Sequence, residues 1–300
     1  MKPRFDVVGV GNCAADFLAV FDPYPGLDER AQAKQLLQQG GGETATALVA
    51  LSRLGARVSY VGKVGDDQFG DFIRKGLREE KVDISRIIIE KGKTSIFAFC
   101  AVDARTGKRT IFWYKNITPI KRTELNRSFI TSCSLVHLDH RNLKAGIIVS
   151  GWAKKAGIPV TLDIDRFPPE MEKMVRNTSV ILGSQTLSEE ISSRPETAAG
   201  ELLKSGPSAV VLTFGEKGSL VKTADEQFRQ PAFQVNVVDT TGAGDTFRGA
   251  FAYGVLKRWP LRETARFASA VAALKCTKLG GRTGIPTLQE TLKFLAGQPE

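Results

Sequence analysis

Residues 239–251 read Asp-Thr-Thr-Gly-Ala-Gly-Asp-Thr-Phe-Arg-Gly-Ala-Phe, and they hold what moving a phosphoryl group requires. Gly242-Ala243-Gly244 is a small-residue turn, and a long amphipathic pattern begins around Asp245. A glycine turn that opens a helix leaves several backbone N–H groups without intrahelical partners, all directed at one spot. The helix dipole adds partial positive charge there, which favours a phosphate or a developing anion. Asp245 sets a carboxylate at the same helix start, where it can take the proton of an attacking hydroxyl. Asp is also a good helix cap, and an isolated Gly-Asp pair would be read that way. Two glycines, two threonines and Asp239 around it, after the strand-like apolar run Val235 to Val238, favour the chemical role.

Other segments offer parts of a cleft. Gly40-Gly41-Gly42 leads the helical pattern Glu43–Leu54, with Gly55 and Gly65 following at turns. A triple glycine allows close backbone approach to a small polar ligand or serves as a lid hinge, and the residues alone leave both open. Asp16 follows the first strand at its carboxyl end, where open α/β sheets bind ligands. Thr213-Phe214-Gly215-Glu216-Lys217-Gly218 and the small-residue run 272–281 are either walls for a flat adenine or plain turns. His140-Arg141-Asn142 and Asp163-Ile164-Asp165-Arg166 stand at strand ends facing the same cleft. Arg141 is either a contact for an anionic acceptor group or an ordinary surface arginine.

The elements that must position these residues alternate. Phe5–Gly11, Arg57–Gly62, 135–138, 160–163, 180–182 and 210–213 read as strands, with helical periodicity at 43–54, 67–80 and between the later strands. That rhythm predicts right-handed βαβ units, hence a mostly parallel sheet between two helical layers. A hairpin at 218–230 and helices near 245–257, 261–275 and 287–296 complete the chain. Strands at 15–20 and 31–36, and an antiparallel set at 87–89, 95–102 and 109–114, break the rhythm. They predict a small sheet at the edge of the main one, acting as a lid or a dimer contact.

Composition is that of a soluble globular protein: 300 residues, 42% hydrophobic and 25% charged. No apolar run reaches membrane-spanning length, and the first residues lack the apolar stretch of a signal peptide. Cys13, Cys100, Cys133 and Cys276 form no Cys-x-x-Cys pair, so reduced structural thiols in a cytoplasm are expected. The net charge of +10 suits anionic ligands such as nucleotides. The basic residues are spread along the chain without a basic helix, so no nucleic-acid partner is expected.

Taken together the motifs resemble the PfkB-type, ribokinase-like carbohydrate kinases over essentially the whole chain. Gly41-Gly42, Arg53-Leu54-Gly55 and Gly65 match the N-terminal signature, and Asp239 through Phe247 matches the C-terminal one. The resemblance implies one kinase domain over 1–300, a three-layer α/β/α core with lid strands near 15–36 and 95–114, and often dimerisation through the lid. It implies ATP with Mg2+ as donor and a sugar or sugar-like alcohol as acceptor. By position, Asp245 would be the base, Gly242, Ala243 and Gly244 the anion hole, and Asp16, Gly41, Gly42, Thr46, Arg141 and Asp163 the acceptor side. Thr213, Gly215, Gly218, Thr241, Cys276 and Gly280 would face ATP. Asp239, Thr241, Lys275 and Gly280 match the region where many relatives bind a monovalent cation such as K+. The family usually has Asn at Thr46, and its Asn-x-x-Glu element, which helps organise Mg2+, aligns with Gln185-Thr186-Leu187-Ser188, with Glu189 and Glu190 adjacent. Residues 230–286 look most like the branch that includes sulfofructose kinase and is related to ketohexokinases, through Gln230-Pro231-Ala232-Phe233, Arg266-Phe267-Ala268-Ser269 and Gly280-Gly281-Arg282. A nucleoside kinase of the same motifs, and a kinase-like sugar- or nucleotide-binding protein with weak catalysis, are the rival readings.

Overall fold

The computed structural model describes residues 3–106 and 109–299. In chain order the strands among them are β1 (Phe5–Val10), β2 (Ala14–Phe21), β3 (Gln35–Gly41), β4 (Val58–Val61), β5 (Lys63–Gly65), β6 (Ile88–Glu90), β7 (Phe97–Asp103), β8 (Arg109–Tyr114), β9 (Cys133–Asp139), β10 (Val160–Ile164), β11 (Val180–Ser184), β12 (Ala209–Thr213), β13 (Ser219–Lys222) and β14 (Gln227–Gln230). Eight of these form the main sheet in the order β14-β13-β12-β11-β10-β9-β1-β4. It is parallel from β12 to β4, and the terminal hairpin β13-β14 runs antiparallel at the far edge.

Side-chain alternation along these strands feeds two cores. Val7, Leu135, Leu182 and Val211 point into one, beneath helices Glu43–Arg53, Ala243–Lys257 and Leu261–Cys276. Val8, Val136, Ile181 and Val210 point into the other, beneath helices Leu143–Lys155 and Pro195–Lys204. This is the three-layer α/β/α arrangement, with the central sheet burying near-continuous apolar runs as parallel strands do. Each fully buried Leu or Val contributes about 1.5–3 kcal/mol of transfer energy, so the sheet is a stiff base for the site. No helix among the described residues is long and apolar enough to cross a membrane.

The chain passes from β1 outward to β4, then returns to β9 on the other side of β1. That reversal opens a crevice at the carboxyl ends of β1 and β9. Asn12 and Asp139 meet there, the Asn12 amide donating to Asp139 Oδ2 at 2.5 Å.

The lid is a four-stranded mixed sheet, β3-β2-β7-β8, with β2 and β7 parallel and both outer pairs antiparallel. Two sequence expectations change here. The strand expected at 31–36 is β3 at 35–41, because pairing runs the length of β2, from Val20 opposite Gln35 to Ala14 opposite Gly41. The strand expected at 87–89 leaves the lid: β6 pairs parallel with β5 in a separate ribbon.

Candidate active site

The motif helix begins where expected. Gly242 caps it at φ 71°, ψ 6°, in left-handed space where a side chain is disfavoured, and a Cβ there would stand 2.7 Å from the Gly281 carbonyl oxygen. The Ala243 amide closes this turn on the Thr240 carbonyl at 3.1 Å. Among the described residues no acceptor is found for the amides of Gly242, Gly244 and Asp245, so Asp245 replaces Ala243 in the expected set of free donors. The run Val235 to Val238 is not a strand: Val237 and Val238 are more than half exposed, and the amides of Val238 and Asp239 both donate to the Cys276 carbonyl.

Asp239 locks the turn to the following helix. Its Oδ1 accepts from the Thr241 amide at 2.8 Å and its Oδ2 from the Gly280 amide at 2.7 Å. Burial opposes ionisation, yet these amides and the nearby Lys275 charge hold the carboxyl below its ordinary value. The Asp239 carbonyl accepts from Lys275 Nζ at 2.8 Å. Asp239 is therefore engaged through both carboxylate oxygens and its carbonyl, while the buried Thr241 hydroxyl has no hydrogen-bond partner among the described residues.

Behind the turn lies a cavity of about 510 Å³. Thr213, Gly215, Gly218 and Cys276 line it as expected. Thr241 and Gly280 do not, because both face Asp239 instead. Sequence reasoning missed its apolar walls, Phe233, Val235, Val237 and Phe247, of which Val235 and Val237 were hidden in what read as an ordinary strand. Ala243 and Gly244 close the end of the cavity, so an apolar slot opens onto the unpartnered amides.

On the other side of the helix start stand the acidic groups. Burial pushes Asp245 up to about 7, with Arg248 pulling it down and Glu43, Asp165 and Asp16 pushing it further up. Arg248, unremarked in the sequence, is 4% exposed and gathers three carboxylates: Asp163 at 3.1 Å, Asp165 at 2.7 Å and Asp245 at 3.4 Å. Asp163 is fully buried beneath that guanidinium, so it backs Arg248 and does not reach an acceptor. Asp16 is raised to about 6 by burial, against the pull of Arg282. Gly40 and Gly41 explain themselves at this point: they are strand residues, and a Cβ would strike the Arg282 guanidinium at Gly40 and the Asp16 carboxylate at Gly41. Their close approach is to the chain's own side chains. Arg282 in turn donates to the Gly41 carbonyl at 2.8 Å and to Thr46 Oγ1 at 3.2 Å, so buried Thr46 holds Arg282 instead of facing the cleft. Arg141 donates to Glu43 at 2.7 Å, so its expected role toward an anion competes with an ion pair. Gly42, at φ 88°, caps the helix Glu43–Arg53.

Comparison with known proteins decides the family: the pfkB family carbohydrate kinase pattern matches residues 5–288. The chain belongs to that family. It is 28% identical to a nucleoside kinase of Methanothermobacter thermautotrophicus over 99% of this chain and 98% of that one. It is 31% identical to a fructokinase of Solanum tuberosum over 89% of each. Its fold superposes on the ribokinase of Arabidopsis thaliana, complexed with ribose and ATP, with TM-score 0.86 and 25% identity over 99% and 100% of the two chains. The protein is thus a sugar or nucleoside kinase with a ribokinase-like fold.

In this pfkB kinase the segment 185–190, where the resemblance implies a metal-organising element, is engaged within the chain. Gln185 donates to Glu189 at 2.6 Å, Ser188 is buried, and Glu190 accepts from the Phe167 amide at 3.1 Å. Among the described residues no group of three or more His, Cys, Asp or Glu side chains is arranged to hold a metal ion. Asp165 is partly open and kept ionised by Arg248 against burial.

Proposed function

We propose that this kinase, acting as a single domain, transfers the γ-phosphoryl group of ATP to a primary hydroxyl of a neutral sugar, most simply a ketose. The observation that carries the reading is Asp245: a carboxyl held near 7 beside amides without partners, at the mouth of an apolar slot. The acceptor proton passes to the Asp245 carboxylate as the acceptor oxygen bonds to the γ-phosphorus. The bond from that phosphorus to the bridging oxygen breaks, and ADP leaves. The amides of Gly242, Gly244 and Asp245 stabilise charge on the transferring group, the main task in such chemistry. Bound Mg2+ would neutralise phosphate charge. Asp16 would hold acceptor hydroxyls, and closure of the lid would exclude water.

A neutral acceptor is favoured because Arg141, Arg248 and Arg282 are each already engaged with partners in the chain. The fructokinase similarity supports a ketose, and the nucleoside kinase similarity supports the second reading, a nucleoside acceptor. The four free, buried cysteines suit work in a reducing cytoplasm. The exposed edge strand β8 suits pairing with a second copy.

An acceptor screen following ADP formation tests this. ADP release only on adding a ketose, abolished to about 1% or less in Asp245→Asn, is the expected result. Turnover with nucleosides alone would select the second reading. ADP release indifferent to any acceptor would reduce the chain to a binding protein with leaking hydrolysis.

A further inference from the structure

Lysine is almost never fully buried unless paired, and Lys275 is 0% exposed. Its partner is not a carboxylate. Nζ donates at 2.8 Å to the main-chain carbonyl of Asp239, while both Asp239 carboxylate oxygens are taken by the amides of Thr241 and Gly280. No carboxylate among the described residues lies within ion-pair distance of Nζ. The ammonium therefore sits where a bound cation would, on a carbonyl oxygen.

The surroundings suit a positive charge. Lys275 lies in the last turn of the helix Leu261–Cys276, whose final carbonyls carry partial negative charge. Burial pushes the Lys275 pKa down, and the charge of Asp239 in particular draws it back up. Residues 276–284 wrap the seat: Cys276 accepts from the Val238 and Asp239 amides, and a Cβ on Gly284 would strike the Lys275 carbonyl. A K+ ion resting on the Asp239 carbonyl does not fit this arrangement, because that oxygen is taken by an ammonium of equal charge and similar size.

We propose that Lys275 is a tethered cation, a positioning residue whose ammonium does the work of a bound monovalent ion. It fixes the Asp239 carbonyl and so the turn, three residues on, that offers Gly242 and Gly244 to the transferring phosphoryl group. The tether removes the entropic cost of capturing an ion, and the kinase has no monovalent-cation requirement.

The test compares the intact protein and Lys275→Ala in K+, NH4+, Na+ and choline chloride at equal ionic strength. Two readouts are used: the melting temperature and kcat with the best acceptor. The melting arm stands without the acceptor assignment, so a failed acceptor screen does not affect it. The intact protein should show the same melting temperature and kcat in all four salts. Lys275→Ala should lose about 10- to 100-fold in kcat in choline, with acceptor KM little changed. K+ or NH4+ should restore both kcat and melting temperature saturably, and Na+ less so. A saturable K+ response of the intact protein would overturn the proposal, as would a Lys275→Ala enzyme of undiminished kcat in choline. If Lys275→Ala does not fold, Lys275→Met, which keeps the apolar stem, replaces it, and the melting response of the intact protein to K+ decides the matter alone.

Discussion

Arg248 offers the sharpest test of how this site sets the strength of its base. Replacing it with Met keeps a long buried stem and removes one charge, 3.4 Å from Asp245 Oδ1. Coulomb's law gives that pair about 1.2 kcal/mol at a dielectric of ~80 and about 5 kcal/mol at ~20. At ~1.4 kcal/mol per pKa unit this is a rise of about 1–3.5 units in the Asp245 pKa. The guanidinium is shared with Asp163 and Asp165, and water can relax around Asp245, whose side chain is 22% exposed, so the low end applies. A base at about 7 is half ionised at neutral pH; one unit higher it is about one-tenth ionised, a loss of ~5-fold in kcat/KM. The sign follows from the role: only the carboxylate accepts a proton, so raising its pKa moves the acidic limb of the pH–rate profile upward, and activity returns in alkali. The assay is kcat/KM for the acceptor from about pH 5.5 to 9.5 at saturating ATP and Mg2+, for the intact enzyme, Arg248→Met and Arg248→Lys. Arg248→Lys, which keeps the charge, should hold the limb near its original position. An Arg248→Met profile lowered at every pH but unshifted would refute the reasoning, because the arginine would then act by shape alone. Folding should survive: Asp163 is already raised well above its usual value by burial, so it can protonate once the arginine is gone.

Two further outcomes follow from the same geometry. Arg141→Ala removes an ion pair between a half-exposed arginine and Glu43, and pairs of that kind contribute about 1 kcal/mol or less. Acceptor KM should change by less than about fivefold, alike for neutral and anionic sugars; a loss confined to anionic sugars would return Arg141 to acceptor recognition. On the lid, Ile111, Phe112, Trp113 and Tyr114 are all about half exposed or more along edge strand β8. Sedimentation should show a dimer that weakens by about 100-fold or more in Phe112→Lys/Trp113→Lys, each aromatic being worth ~2 kcal/mol when buried. A monomer in the unaltered protein at micromolar concentration would remove the lid contact.

Local signals were readable and long-range ones were not. The glycine turn at 242–244, Asp245 and the strand–helix rhythm each announce themselves within a dozen residues, so the fold and the phosphate end stood out. Arg248 looked like one polar position on an amphipathic helix. Its partners Asp163 and Asp165 lie 85 and 83 residues away, brought near only by β10 passing beneath that helix. Arg282 reaches Thr46 across 236 positions. Lys275 stood where a helix-end lysine ordinarily meets solvent. The run 235–238 misled for a different reason. Its apolar residues serve a ligand cavity and are left open to it, whereas an apolar run in a sequence is most simply read as buried in a sheet.

The distribution of charge explains why the phosphate end was easier to read than the acceptor end. Amides and a helix dipole favour anions at the helix start, and the backbone shape that presents them is written in glycines. Across the cleft, burial together with neighbouring carboxylate charge raises Asp16, Asp139, Asp163 and Asp245, with Asp16 and Asp139 reaching about 6, whereas Arg248, against burial, helps hold Asp165 below its ordinary value. Three nearby arginines have partners within the chain: half-exposed Arg141 with Glu43, Arg248 with three aspartates, Arg282 with Gly41 and Thr46. What remains toward the cleft are carboxylates, which accept hydrogen bonds from hydroxyls and repel a second anion. A polyhydroxy acceptor without charge, as proposed above, would satisfy these groups and add nothing to the negative potential that, with burial as the larger cause, raises Asp245 to about 7. On that proposal selectivity rests on the spacing of hydroxyls against Asp16 and Asp245, with burial and acidic neighbours together tuning the base.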